Sequence, residues 1–106
     1  RRSSRNRDRP AELAGYVHEG LRRLFKGNEA EVRSMLDAPK SEAVPELIDR
    51  CAGVMRQQDL NPEMFLGRFF SAAMMGKYCE TVGKSSKGGA GALATRCVAH
   101  WQKEFA

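Results

Sequence analysis

Apolar residues recur every three or four positions through nearly the whole chain from Pro10 onward, the spacing that puts them on one face of a helix. The first stripe is Leu13, Tyr16, Val17, Leu21, Leu24 and Phe25. Pro10 suits a first helical turn, where its missing N–H costs nothing, and Gly27 suits the left-handed residue that ends a helix. Asn28, with Glu31 three residues on, predicts a capping-box start for a short second helix bearing Val32, Met35 and Leu36. Pro39 closes that helix, because the residue before a proline avoids the helical region. A third helix is expected to start between Ser41 and Pro45 and to carry Val44, Leu47, Ile48, Cys51, Val54 and Met55.

Asn61-Pro62 is the sharpest helix start in the chain, an N-cap followed by proline at the first helical position. Phe65, Leu66, Phe69, Phe70 and Ala73 follow, then a break in the period near Ala72–Met74, then Met75, Cys79 and Val82. The polar run from Gly83 to Gly89 predicts a flexible loop. A last helix carries Leu93, Cys97, Trp101 and Phe105 four residues apart, with Ala94 and Val98 beside them. No stretch alternates with period two over the length of a strand. The expected fold is all-α, a compact bundle of four to six short helices.

Composition narrows this. Of 106 residues, 42% are hydrophobic, enough for one core and too few for two comfortable domains. The apolar runs are too short for a membrane span, and no signal-peptide core stands near the start. The first residue is Arg1 and not Met, which points to a domain cut from a longer protein. The net charge of +5 is unevenly placed. Residues 1–10 hold five Arg and one Asp, a net of +4, leaving 13 basic against 12 acidic side chains, or +1, for the rest. With no apolar residue before Ala11, residues 1–10 read as a disordered basic tail, and residues 11–106 as the domain. The Arg1–Arg9 segment could make weak nucleic-acid contacts through charge alone.

Candidate chemistry is sparse. Val82-Gly83-Lys84-Ser85 ends like a phosphate-binding loop, but Tyr78 stands where the required earlier glycine belongs and the preceding segment is helical. Cys97 and His100 have ligand-like spacing, yet no second pair exists to complete a zinc site. Cys51, Cys79 and Cys97 all fall on apolar stripes, so they read as reduced, buried thiols of an intracellular protein and not as nucleophiles. No paired carboxylates suggest acid–base work. The expectation is no enzyme, no metal and no cofactor. Phe65, Phe69, Phe70, Met74, Met75 and Trp101 are expected to form the core. Lys77, Lys84 and Lys87 flank that region with only Glu80 opposing them, which suits an acidic-hydrophobic peptide.

From Leu60 to Trp101 the chain resembles the N-terminal domain of transcription elongation factor S-II (TFIIS), also called the LW domain. Met75-Gly76-Lys77, followed by Cys79, Val82 and Lys84, matches the hydrophobic-Gly-Lys step that opens one family helix. Leu93-Ala94, Cys97-Val98 and Trp101 match the Leu-Ala, Leu-Val and Trp pattern of the last helix. Ala73 lies in the region where the family usually has a capping Thr, Cys97 replaces a usual Leu, and Gln102 replaces a usual Lys. The resemblance covers about 45 residues; residues 11–59 match only as generic helices.

The resemblance implies a protein–protein interaction module of a nuclear transcription elongation factor. Its partners would be short disordered segments of other elongation or chromatin factors, bearing a hydrophobic anchor beside acidic residues. In related bundles the ligand surface lies near two interhelical loops, which are here Phe25–Glu29 and Val82–Ala90. The implied partner-binding residues are therefore Phe25, Lys26, Asn28, Lys77, Val82, Lys84 and Lys87, with Gly76 permitting close helix packing. Two other readings stay open: a basic nucleic-acid-binding domain, and a structural or oligomerisation bundle without a separate ligand.

Overall fold

A computed structural model describes residues 14–106. They form six helices and no strand, with 73% of the described residues helical. The helices are α1 (Gly15–Phe25), α2 (Glu29–Leu36), α3 (Val44–Gln58), α4 (Pro62–Phe69), α5 (Ala72–Thr81) and α6 (Ala90–Phe105). None is long and apolar enough to cross a membrane. Pro10, Leu13 and the basic segment 1–10 lie outside the described residues.

Local chemistry sets most of the boundaries. Asn61 caps α4, its Oδ1 accepting the Met64 N–H at 2.8 Å ahead of Pro62. The break between α4 and α5 falls at Phe70-Ser71, slightly before the position the period indicates, because Ser71 Oγ accepts the Met74 N–H at 3.1 Å and starts α5 there. Ser71 thus serves as the polar cap that Ala73 cannot provide. At α3 the Glu46 carboxylate accepts the Ala43 N–H at 2.9 Å, half of a capping box. The ends of α2 and α3 are left-handed aspartates, Asp37 at φ 54° and Asp59 at φ 55°. Their N–H groups return to carbonyls of the last turn, so α2 stops two residues before Pro39.

Asn28 departs from the capping-box expectation. It precedes α2, but its side chain makes no bond to that helix. Instead its Nδ2 donates backwards to the Leu24 carbonyl at 3.0 Å and to the Met74 carbonyl at 3.4 Å. Asn28 is the one buried polar residue among those described, 3% exposed. A buried amide needs partners, and these two carbonyls supply them while pinning the α1–α2 turn to α5.

α6 is the axis of the bundle, packing against α4, α1 and α5, while α3 closes over α1 and α2. Its Trp101 is fully buried, and its Nε1 donates to the Tyr78 hydroxyl of α5 at 3.1 Å. The indole packs against α1 at Gly20, where an added Cβ would run into the ring. Gly20 therefore provides the close approach expected at Gly76. At Gly76 an added Cβ would meet Ser86 Cβ at 3.4 Å, an ordinary contact with the 83–89 segment and not with a helix. Phe65, Phe70, Met75 and Trp101 are core residues, with Phe25 and Phe70 stacked at 6.2 Å, whereas Phe69 and Met74 are only partly buried.

Gly20→Ala is expected to destabilise the fold by about 3 kcal/mol through overpacking against Trp101. Gly53→Ala in α3, where nothing lies within 4 Å of the added Cβ, should stabilise it by about 0.5–1 kcal/mol. Urea unfolding of the two variants checks both signs.

Candidate functional site

The C-terminal ends of α1 and α5 lie side by side and form the walls of an open groove of about 490 Å³. One wall is Arg22, Arg23, Lys26, Gly27 and Asn28; the other is Lys77, Tyr78, Thr81 and Val82. Arg22 and Arg23 lie in the last turn of α1 and Lys26 and Gly27 in the non-helical turn that follows it, while Lys77, Tyr78 and Thr81 run along one edge of α5 to Val82 at its C-cap. The groove is thus a seam between the end of α1 with its following turn and the end of α5. It is lined by four cations and no carboxylate.

Two contacts fix its shape. Gly27 adopts φ +88°, the left-handed geometry that ends α1 and turns its carbonyl outward. Lys77 Nζ donates to that carbonyl at 2.8 Å, and Asn28 ties the same turn to the backbone of α5. The cations have a local reason to gather here. Helix carbonyls at a C-terminus carry partial negative charge, which favours basic side chains in the last turn, as Arg22 and Arg23 are in α1.

Sequence reasoning and geometry agree in part. Lys26, Asn28, Lys77 and Val82 do come together in the groove. Phe25 does not reach it: at 1% exposure it stacks on Phe70 inside the core, so its role is to support the wall from behind. Asn28 lines the wall with its amide already committed to the Leu24 and Met74 carbonyls. Lys84 and Lys87 are exposed but belong to the 83–89 segment beyond the Val82 end, outside the lining. That segment is pinned despite its glycines. Arg96 donates to the Ser85 and Lys87 carbonyls, each at 2.8 Å, and Ser86 Oγ donates to Glu80 at 2.9 Å. Glu80 therefore bonds to Ser86 and not to the lysines.

Arg22, Arg23, Tyr78 and Thr81 were not singled out from the sequence. They become neighbours of Lys26 and Val82 only where the fold sets the end of α1 beside α5. Arg23 lies over the Phe105 ring at 4.8 Å and donates from Nε to Glu19 at 2.7 Å. Arg22 donates from Nε to Glu19 at 3.2 Å and again from Nη2. These bonds, first from Arg22 and then from Arg23, lower the Glu19 carboxyl from 4.5 to about 2.

All three thiols are buried. Burial pushes Cys51 up to about 12, and burial together with its neighbour Cys79 does the same for Cys97. Cys79 and Cys97 sit with Sγ atoms 3.9 Å apart in the core. Burial also raises the Tyr78 phenol. His100 packs edge-on to Tyr78 and Phe105, with Nδ1 buried and unpartnered. Among the described residues, no three His, Cys, Asp or Glu side chains gather as a metal site would require. The groove suits recognition by charge and apolar contact.

Compared with known protein families, with curated proteins and with solved structures, the chain matches none of them.

The Glu19 ion pairs should be visible directly. Carbon-detected NMR is expected to show the Glu19 carboxyl titrating near 2, and Arg22→Ala should move it up toward 4.5. Because the folded-state value is lowered, the stabilisation is complete above about 4.5 and is lost as pH falls through the folded-state midpoint near 2.

Proposed function

We propose that the chain is a protein-interaction module of a nuclear transcription elongation factor, holding short disordered acidic-hydrophobic segments of partner proteins. What carries the reading is the groove itself: it brings Lys26 and Gly27 of one expected ligand loop beside Val82, the first residue of the other, with four cations and no acid along its walls. The resemblance of Leu60–Trp101 to the S-II N-terminal domain supports the biological context.

The physics of such binding follows from the lining. An apolar side chain of the partner would lie against Val82 and the small exposed part of Tyr78, the apolar residues between the basic rims. Its flanking carboxylates would face Lys26 and Arg22, which steer the encounter as well as hold the complex. Lys77 is already bonded to Gly27, so its first task is to keep the groove open, and its charge adds to the local field. A disordered partner gives up conformational entropy on docking, which keeps the affinity modest and the exchange fast.

Placement in the groove distinguishes the lysines. Lys26→Glu should weaken binding of an acidic Phe-containing peptide by about tenfold, since it both removes an attraction and adds a repulsion in the lining. Lys87→Glu should change it by less than about threefold, the effect of a screened charge outside the site. Titrations of the ¹⁵N-labelled domain measure both. Equal effects of the two variants, or shifts confined to 83–89, would count against the groove as the site.

A further inference from the structure

The cations lining the groove are not equally available. Lys77 is tied to the Gly27 carbonyl, and Arg23 is held both by Glu19 and by the face of Phe105. Lys26 has no bond to any described residue. Arg22 is the intermediate case: Glu19 is its partner, one turn back on the same helix, and engages it through both Nε and Nη2.

We propose that Glu19 is a built-in competitor for the groove, occupying the Arg22 guanidinium until an acidic partner takes it over. This rests on the peptide-binding reading above and adds to it a rule of selectivity. Glu19 is not part of the groove lining, so it can release Arg22 without obstructing the ligand. The Arg22 side chain is 54% exposed and that of Glu19 30%, so the pair is a surface ion pair whose exchange costs little. Being on the same helix at i, i+3, Glu19 competes at a high effective concentration that any external carboxylate has to overcome. The competitor persists across neutral and mildly acidic pH, since its carboxyl titrates only near 2.

The consequence is a threshold. A partner with one carboxylate binds Lys26 and leaves the Glu19–Arg22 pair in place. A partner with clustered carboxylates anchors one on Lys26 and presents the next to Arg22 intramolecularly, cancelling the advantage of Glu19. The ligand class selected is therefore a segment with adjacent or near-adjacent acidic residues beside an apolar anchor, over one bearing a single acid.

Fluorescence anisotropy with two labelled peptides tests this, one presenting a single Asp beside Phe and the other several Asp and Glu beside Phe. Glu19→Gln should tighten binding of the single-acid peptide by about fivefold and so narrow the preference for the clustered one. Asp49→Asn, which removes the same charge from an exposed position on α3 away from the groove, should change either affinity by less than about twofold. The double variant Glu19→Gln/Arg22→Gln should lose the gain. Equal effects of Glu19→Gln and Asp49→Asn would overturn the proposal, as would no effect of Glu19→Gln on a wild-type domain that binds. If neither wild type nor Glu19→Gln binds either peptide while circular dichroism shows a folded helical protein, the peptide-binding reading fails with it.

Discussion

The burial of Trp101 against Gly20 is the constraint on which the arrangement of this bundle rests. A fully buried indole brings a large apolar surface and one N–H that must find an acceptor. The surface is accommodated because α1 carries no Cβ at the point of contact, and the N–H is accommodated because Tyr78 of α5 presents its hydroxyl. One side chain thereby fixes the distances among α1, α5 and α6. Tyr78 has a second face on the groove, so the contact that organises the core also sets the separation of the groove walls. Asn28 and Lys77 complete the same junction from outside, tying the end of α1 to α5 through backbone carbonyls.

Charge is organised more locally than the total of +5 implies. Elsewhere on the surface Glu29 pairs with Arg33 along one helix, and Glu42, just before α3, pairs with Arg50 within it. Such exposed pairs add little stability but neutralise charge locally. The groove is different because basic residues belonging to two helix ends converge there while their acidic partner, Glu19, stays behind them. The proposed acidic ligand fits that residual field, and the proposed competition by Glu19 would grade ligands by how many carboxylates they bring.

The helices were legible in the sequence because their signals are local. Asn61-Pro62, Gly27 and the Leu93–Trp101 stripe act within a few residues, and the helices lie close to where their apolar periods place them, the α4–α5 break falling slightly earlier, at Ser71. Asn28 misled because its buried amide bonds one carbonyl four residues back, at Leu24, and one 46 residues away, at Met74, in place of its own helix. Gly20 was silent because a glycine in a helix announces nothing until a tryptophan is known to lie on it. Half of the groove was readable for the same kind of reason. Lys26, Asn28, Lys77 and Val82 flank turns that punctuate the sequence, whereas Arg22, Arg23 and Thr81 become neighbours only through packing. Lys84 and Lys87 follow Val82 closely in sequence but do not line the groove, and Arg96 bonds to the carbonyls of their segment.

The most direct measurement is a structure of the domain bound to a short peptide with a phenylalanine beside clustered aspartates and glutamates. The phenylalanine should rest against Tyr78 and Val82, with one carboxylate on Lys26 and another on an Arg22 that has left Glu19. A peptide lying along residues 83–89, or on the α2–α3 face with the groove untouched, would contradict the assignment.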